Sequence, residues 1–113
     1  MFLATLDSGS TTVTGVDPTF AFDAELWLHS AGSWVMVTIP EDETDEIQEV
    51  APHPGGFGSV RVEVQVGEST WRTSVFPSNE SGCFVLPIKK QIRNAEKIDV
   101  GDMASIELTV LMD

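Results

Sequence analysis

Gly58-Ser59-Val60-Arg61-Val62-Glu63-Val64-Gln65-Val66-Gly67-Glu68-Ser69-Thr70-Trp71-Arg72-Thr73-Ser74-Val75-Phe76-Pro77 reads as a β-hairpin with a definable register. Alternation of valine with polar residues is the period-two signature of a half-buried strand. Gly67-Glu68 fits a two-residue turn with glycine first, the type II′ pattern. Val66 then faces Ser69, and the pairs run Val64 with Trp71, Glu63 with Arg72, Val62 with Thr73 and Val60 with Val75. The valines and Trp71 line one face, while Arg61, Glu63, Gln65, Arg72 and Ser74 line the other. A slip of one residue would expose the whole valine row, so this register is strongly specified.

Upstream, residues 1–19 are expected to be a flexible N-terminal extension, since Asp7 to Pro18 is small and polar without a period. A single domain is expected over 20–113. Phe20, Phe22, Ala24, Leu26 and Leu28 alternate with polar or outward positions, predicting one strand through Leu28. Trp34 to Ile39 predicts a second, stopped by Pro40. Glu41 to Val50 is helix-prone, and its acids suit the positive end of the helix dipole. Ile47 and Val50 supply its apolar stripe. Pro52 to Gly56 is a loop by composition.

Downstream, Pro77 to Gly82 is turn-rich and Cys83 to Leu86 predicts a short strand. Pro87 is expected to open a helix reaching about Lys97, with Ile88, Ile92 and Ala95 buried. Met103 to Met112 predicts the last strand. Val37-Thr38-Ile39-Pro40, an acidic helix and a valine-rich strand echo Val85-Leu86-Pro87, a basic helix and a final strand. Two such halves imply a mostly β fold with two short helices, a small pseudo-twofold barrel with helices capping its ends.

A chain of 113 residues suffices for one hydrophobic core without staples. Its single cysteine, Cys83, excludes an intrachain disulfide framework and makes a reducing cytoplasm the expected location. Met1 to Leu6 lacks a charged leader and is too short to span a bilayer, so no membrane association is expected. The net charge of −12 repels phosphate backbones and argues against nucleic acid as a partner. All six basic residues nevertheless lie beyond position 60.

Several blocks together resemble the bacterial family known as domain of unknown function nineteen-oh-five. They are Phe22-Asp23-Ala24-Glu25-Leu26, Trp34 to Pro40, Gly56 to Val66, Thr70 to Pro77, and Phe84 to Glu96 with Gly101-Asp102. The resemblance covers about residues 20–112, and Trp71 to Pro77 with Leu86 to Lys90 are its most specific parts. It implies a double-split β-barrel with helical caps, and it brings no catalytic residues. Some members carry this domain beside a module named YdeI or OmpD-associated, linked by name to bacteriocin protection. The resemblance does not extend to that module, so that role is not carried over. Leu86 to Arg93, with Val100-Gly101-Asp102, is also similar to the swapped-hairpin motif of AbrB-type transcription regulators. This motivates a DNA-binding alternative, which the net charge opposes.

Arg61, Arg72, Lys89, Lys90 and Arg93 are the candidate ligand-binding residues, an Arg fork and Lys point charges for a carboxylate or phosphate. For Arg72 the plainer reading is favoured, a cross-strand pair with Glu63 worth about 0.2–1 kcal/mol. Lys89 stands out because its charge opposes the dipole at a helix start. Trp27, Trp34 and Trp71 are the candidates for an aromatic binding wall; Trp71 is expected in the core instead, whereas Trp27 falls on the polar parity of its strand and is expected to be partly exposed, at a binding wall or an interface.

His29, His53 and Cys83 have no metal-ligand spacing, and Cys83 is expected to be a small core residue. The acids from Glu41 to Glu49 lack the aspartate and glycine spacing of a calcium loop. Gly55 to Ser59 precedes a strand rather than opening a helix, so it is no phosphate cradle. Ser59 and Ser74 have no nucleophile context. The expectation is a binding or protein-interaction module without cofactor or catalytic site, working through the basic residues. A small-anion site with possible enzymatic activity is the alternative, and self-association or a protein partner is compatible with either.

Overall fold

The hairpin forms with the register that its sequence specifies. Val60 pairs with Val75, Val62 with Thr73, Glu63 with Arg72, Val64 with Trp71 and Val66 with Ser69. Gly67 has φ +58°, while Glu68 is not among the positive-φ residues, as a type II′ turn requires. Gly67 is also needed for space, because a β-carbon there would overlap the Glu96 carboxylate. The four valines of the first strand, with Trp71 and Val75 of the second, are buried.

The computed structural model describes residues 17–29, 32, 34–51 and 58–112. In chain order the elements are β1 (Thr19–Glu25), β2 (Trp27–Leu28), β3 (Val35–Thr38), α1 (Glu41–Val50), β4 (Val60–Val66), β5 (Ser69–Pro77), β6 (Phe84–Pro87), α2 (Lys90–Glu96) and β7 (Met103–Val110). Most of the expected N-terminal extension, residues 1–16, lies outside the described residues, as does the loop 52–57. Thr19 already belongs to β1, where it pairs with Thr109.

Among the described residues all seven strands join one antiparallel sheet in the order β1-β7-β4-β5-β6-β3-β2. Its two outermost strands are consecutive in the chain, separated only by Leu26. The sheet therefore curls on itself as a half-barrel, with the valine rows, Leu26, Leu86 and Leu108 inside. This geometry divides the strand expected to run unbroken through Leu28. Leu26 leaves the ladder, donating its N–H to the Asp102 carbonyl and accepting from Gly101, both at 2.9 Å. Beyond it the chain pairs with β3 instead of β7. Leu28, expected inside, is 53% exposed at the barrel's rim.

The two halves behave as the sequence echo implies. β3 pairs antiparallel with β6, and β4 with β7, so equivalent strands meet as a twofold relation demands. α1 carries Glu41, Asp42 and Glu43 in its first turn and buries Thr44 and Ile47. Thr44 has a role that no apolar stripe would reveal. The Ile39 N–H donates directly to the Phe84 carbonyl, but the reciprocal rung passes through the Thr44 hydroxyl. That hydroxyl accepts from the Phe84 N–H at 3.2 Å and donates to the Ile39 carbonyl at 3.1 Å. The helix thus completes the end of the β3–β6 ladder.

α2 begins at Lys90 rather than Pro87, which is the last residue of β6. Ile88 and Ile92 are buried as expected, but Ala95 is exposed. The late start has a cause: the Ile88 N–H donates to the Val35 carbonyl at 2.8 Å and holds the chain in the ladder. The C-terminal end of α2 docks at the hairpin turn, where Ser69 Oγ donates to Glu96 at 2.5 Å. Among the described residues no helix is long and apolar enough to cross a membrane.

Candidate functional site

The five candidate cations do not form one patch with free charges. Arg61 and Arg72 share the outer face of the hairpin, two positions apart across the β4–β5 pair. Arg72 Nε sits 3.1 Å from Glu63 Oε1, the pair that the register predicts. Arg93 serves the fold: its Nε donates to the Ile88 carbonyl at 3.1 Å, and a terminal nitrogen lies 3.6 Å from Asp99. Only about a fifth of that side chain is exposed. Lys89 and Lys90 are exposed at the start of α2, with no ion pair among the described residues. Of the set, these two and Arg61 have no ion pair among the described residues.

A second apolar layer lies outside the sheet. Met36 and Val85 are each 8% exposed, yet neither belongs to the core within the curl. Strand parity explains this. Val35, Val37, Phe84 and Leu86 point inward, so Met36, Val85 and Pro87 must point out. Trp27, opposite Met36, covers this layer on one side. Its indole Nε1–H donates to Thr38 Oγ1 at 3.0 Å, and its ring stacks on His29 at 6.1 Å between centroids.

A cavity of about 460 Å³ opens beside this layer, lined by His29, Trp34, Met36, Phe76 and Pro87. Trp34 is 65% exposed and Phe76 42%. Apolar clefts of this size are the common form of small-molecule sites. Trp27 is half-buried, as its parity implied, but it braces the cleft rather than lining it.

Charge divides the outer surface of the curl. Among the described residues no lining residue of the cleft is acidic, and neither are the outward positions Thr38 and Val85 beside it. The outer face of β1, β7 and β4 instead carries Asp23, Glu107 and Glu63. A shallower groove of about 260 Å³ runs there between Asp23, Gln65 and Glu107, with Asp23 accepting from Ser105 Oγ at 2.8 Å. Among the described residues no group of histidine, cysteine and carboxylate side chains is placed to hold a metal ion. Cys83, expected in the core, is half-buried in the turn before β6, where its N–H donates to Ser81 Oγ.

Sequence reasoning named Trp34 as a candidate wall aromatic but missed Met36, Phe76 and Pro87 beside it, although one signal was present. With Val75 assigned inward, Phe76 has to face out, and an outward phenylalanine at a strand end asks for a partner. That three further strands supply that partner is visible only in the sheet order.

The architecture is that of a small, mostly β domain, a curled seven-stranded half-barrel closed by two helices. The family model for a domain of unknown function, DUF1905, matches residues 22–108, and the chain belongs to that family. No curated protein matches it.

Proposed function

We propose that this domain is a non-catalytic binding module whose working surface is the aromatic cleft on the outer face of β3, β5 and β6. The observation that carries this reading is the cleft itself: about 460 Å³ walled by Trp34, Met36, Phe76 and Pro87. Trp34 and Phe76 remain exposed although the chain has a full core for such side chains to enter. An exposed aromatic wall over an already buried second layer favours a ligand-accepting surface. The basic residues contribute less than the sequence implied, since Arg72 and Arg93 are engaged within the fold. Their free members, Lys89 and Lys90, are not among the residues that line the cleft. A cytoplasmic, bacterial setting accords with the single cysteine and with the family resemblance.

The three indole N–H signals in a nitrogen-15 correlation spectrum provide the test. Trp71 is buried and the Trp27 indole is bonded to Thr38, so ligand entry should move the Trp34 signal most. A mixture of small aromatic compounds should shift it in the native protein, and Trp34→Ala should remove the response of the Met36 methyl. Shifts scattered away from Trp34 and Met36, or none at all, would refute the reading. Native mass spectrometry on the same sample reports copurifying ligand and assembly state together. A concentration-dependent dimer that Trp34→Ala abolishes would transfer the surface to self-association.

A further inference from the structure

The geometry points to a ligand class for the cleft: a small molecule with a flat apolar body and one carboxylate, the carboxylate held by Lys89. This inference rests on the reading of the cleft as a small-molecule site.

The placement of Lys89 follows from the ladder. Met36 pairs with Pro87, and the Ile88 N–H bond to the Val35 carbonyl continues that register by one step. The next pair in order is Trp34 with Lys89. Lys89 keeps an extended backbone, φ −71° and ψ 159°, so the pleat still alternates through it. Ile88 points inward and is 2% exposed, which turns Lys89 to the outer face with Met36 and Pro87. Continued in this way, the register sets Lys89 across from Trp34, one step beyond the residues that line the cleft.

Its charge is not committed elsewhere. Lys89 is exposed and has no ion pair among the described residues. As the residue preceding α2 it makes no side-chain cap bond that would tie it to the helix. The surroundings favour an anion. The chain as a whole carries −12, yet among the described residues no acid lines the cleft and Lys90 follows next in sequence. A uniformly apolar ligand would leave this lone cationic margin without a role, and a cation would meet Lys89 and Lys90. An apolar carboxylate satisfies both the aromatic wall and the free ammonium.

Naphthalene-2-carboxylate, its neutral carboxamide and acetate separate the contributions. At the efficiency usual for such compounds the carboxylate should bind the native protein with Kd on the order of 1 mM, read by titrating the Trp34 indole signal. An exposed lysine–carboxylate pair is worth a small factor, so the carboxylate should bind about two- to fivefold tighter than the carboxamide. That advantage should vanish in Lys89→Met and fade at about 0.5 M salt, while acetate alone should give no saturable shift. Lys89→Met should keep the wild-type melting temperature within about 2 °C, because Lys89 makes no side-chain cap bond and is exposed.

Equal binding of carboxylate and carboxamide, unchanged by Lys89→Met, would overturn the ligand class and leave the cleft reading intact. A carboxylate preference that survives Lys89→Met would overturn the assignment to Lys89. Failure of both naphthalene compounds to move the Trp34 signal at about 10 mM would overturn the small-molecule reading and this inference with it.

Discussion

Thr44→Val is the most incisive test of how the helices are joined to the barrel. Valine has nearly the shape of threonine, so packing is preserved while the hydroxyl is lost. Thr44 is 2% exposed, and its hydroxyl bridges the Phe84 N–H and the Ile39 carbonyl at 3.2 and 3.1 Å. Without the hydroxyl both groups lose this bridge at a buried position. A stranded buried donor costs about 1–3 kcal/mol. A carbonyl tolerates the loss better than an N–H, which puts the total at about 2–4 kcal/mol. With an unfolding entropy of about 2.1 cal/mol/K per residue, the 113-residue chain loses about 4 °C of Tm per kcal/mol. The expected fall is then about 8–16 °C by calorimetry. Thr44→Ser keeps the bridge and gives up one methyl, about 1 kcal/mol or roughly 4 °C. Amide exchange at Phe84 should accelerate in the valine variant and stay near wild type in the serine variant. A valine variant that melts at or above the serine variant would refute the bridging role.

Gly67→Ala meets both a left-handed backbone, φ +58°, and the Glu96 carboxylate. It should lower the urea unfolding free energy by about 1–3 kcal/mol, from backbone strain and the loosened Ser69–Glu96 bond; an unchanged midpoint would remove α2 from the turn. The two arginines of the hairpin face and of α2 should differ. Arg72→Ala, at a pair whose side chains are 63% and 40% exposed, should cost no more than about 1 kcal/mol. Arg93→Met, which frees the Ile88 carbonyl, should cost about 1–3 kcal/mol in the same assay, and a reversed order would contradict the structural role of Arg93.

The register of the β4–β5 hairpin was legible in full because every constraint on it is local. Alternating valines settle which face is buried, and a glycine with the right neighbours settles the turn. The same pattern predicted the Glu63–Arg72 pair and the burial of Trp71. Where local pattern competed with closure of the sheet, closure prevailed. Leu26 interrupts an otherwise continuous alternation because the curl transfers the chain from β7 to β3 at that residue. Pro87, a good first residue for a helix, remains in a strand because Val35 holds Ile88.

What the sequence by itself determined, then, is the mostly β class, the hairpin and its faces, the acidic balance and the two helices with their opposite charges. Only the tertiary structure decided what those pieces do together. Thr44 acts on Phe84 across forty positions of chain. Arg93, which composition enrols as a ligand arm, is turned back to its own backbone. The cleft is assembled from the ends of separate strands, and no segment holds enough of it to show a pattern. Periodicity reports which side of one strand faces the core. It carries no information about which other strands stand beside it, and a binding surface on the outer face of a curled sheet depends on that alone.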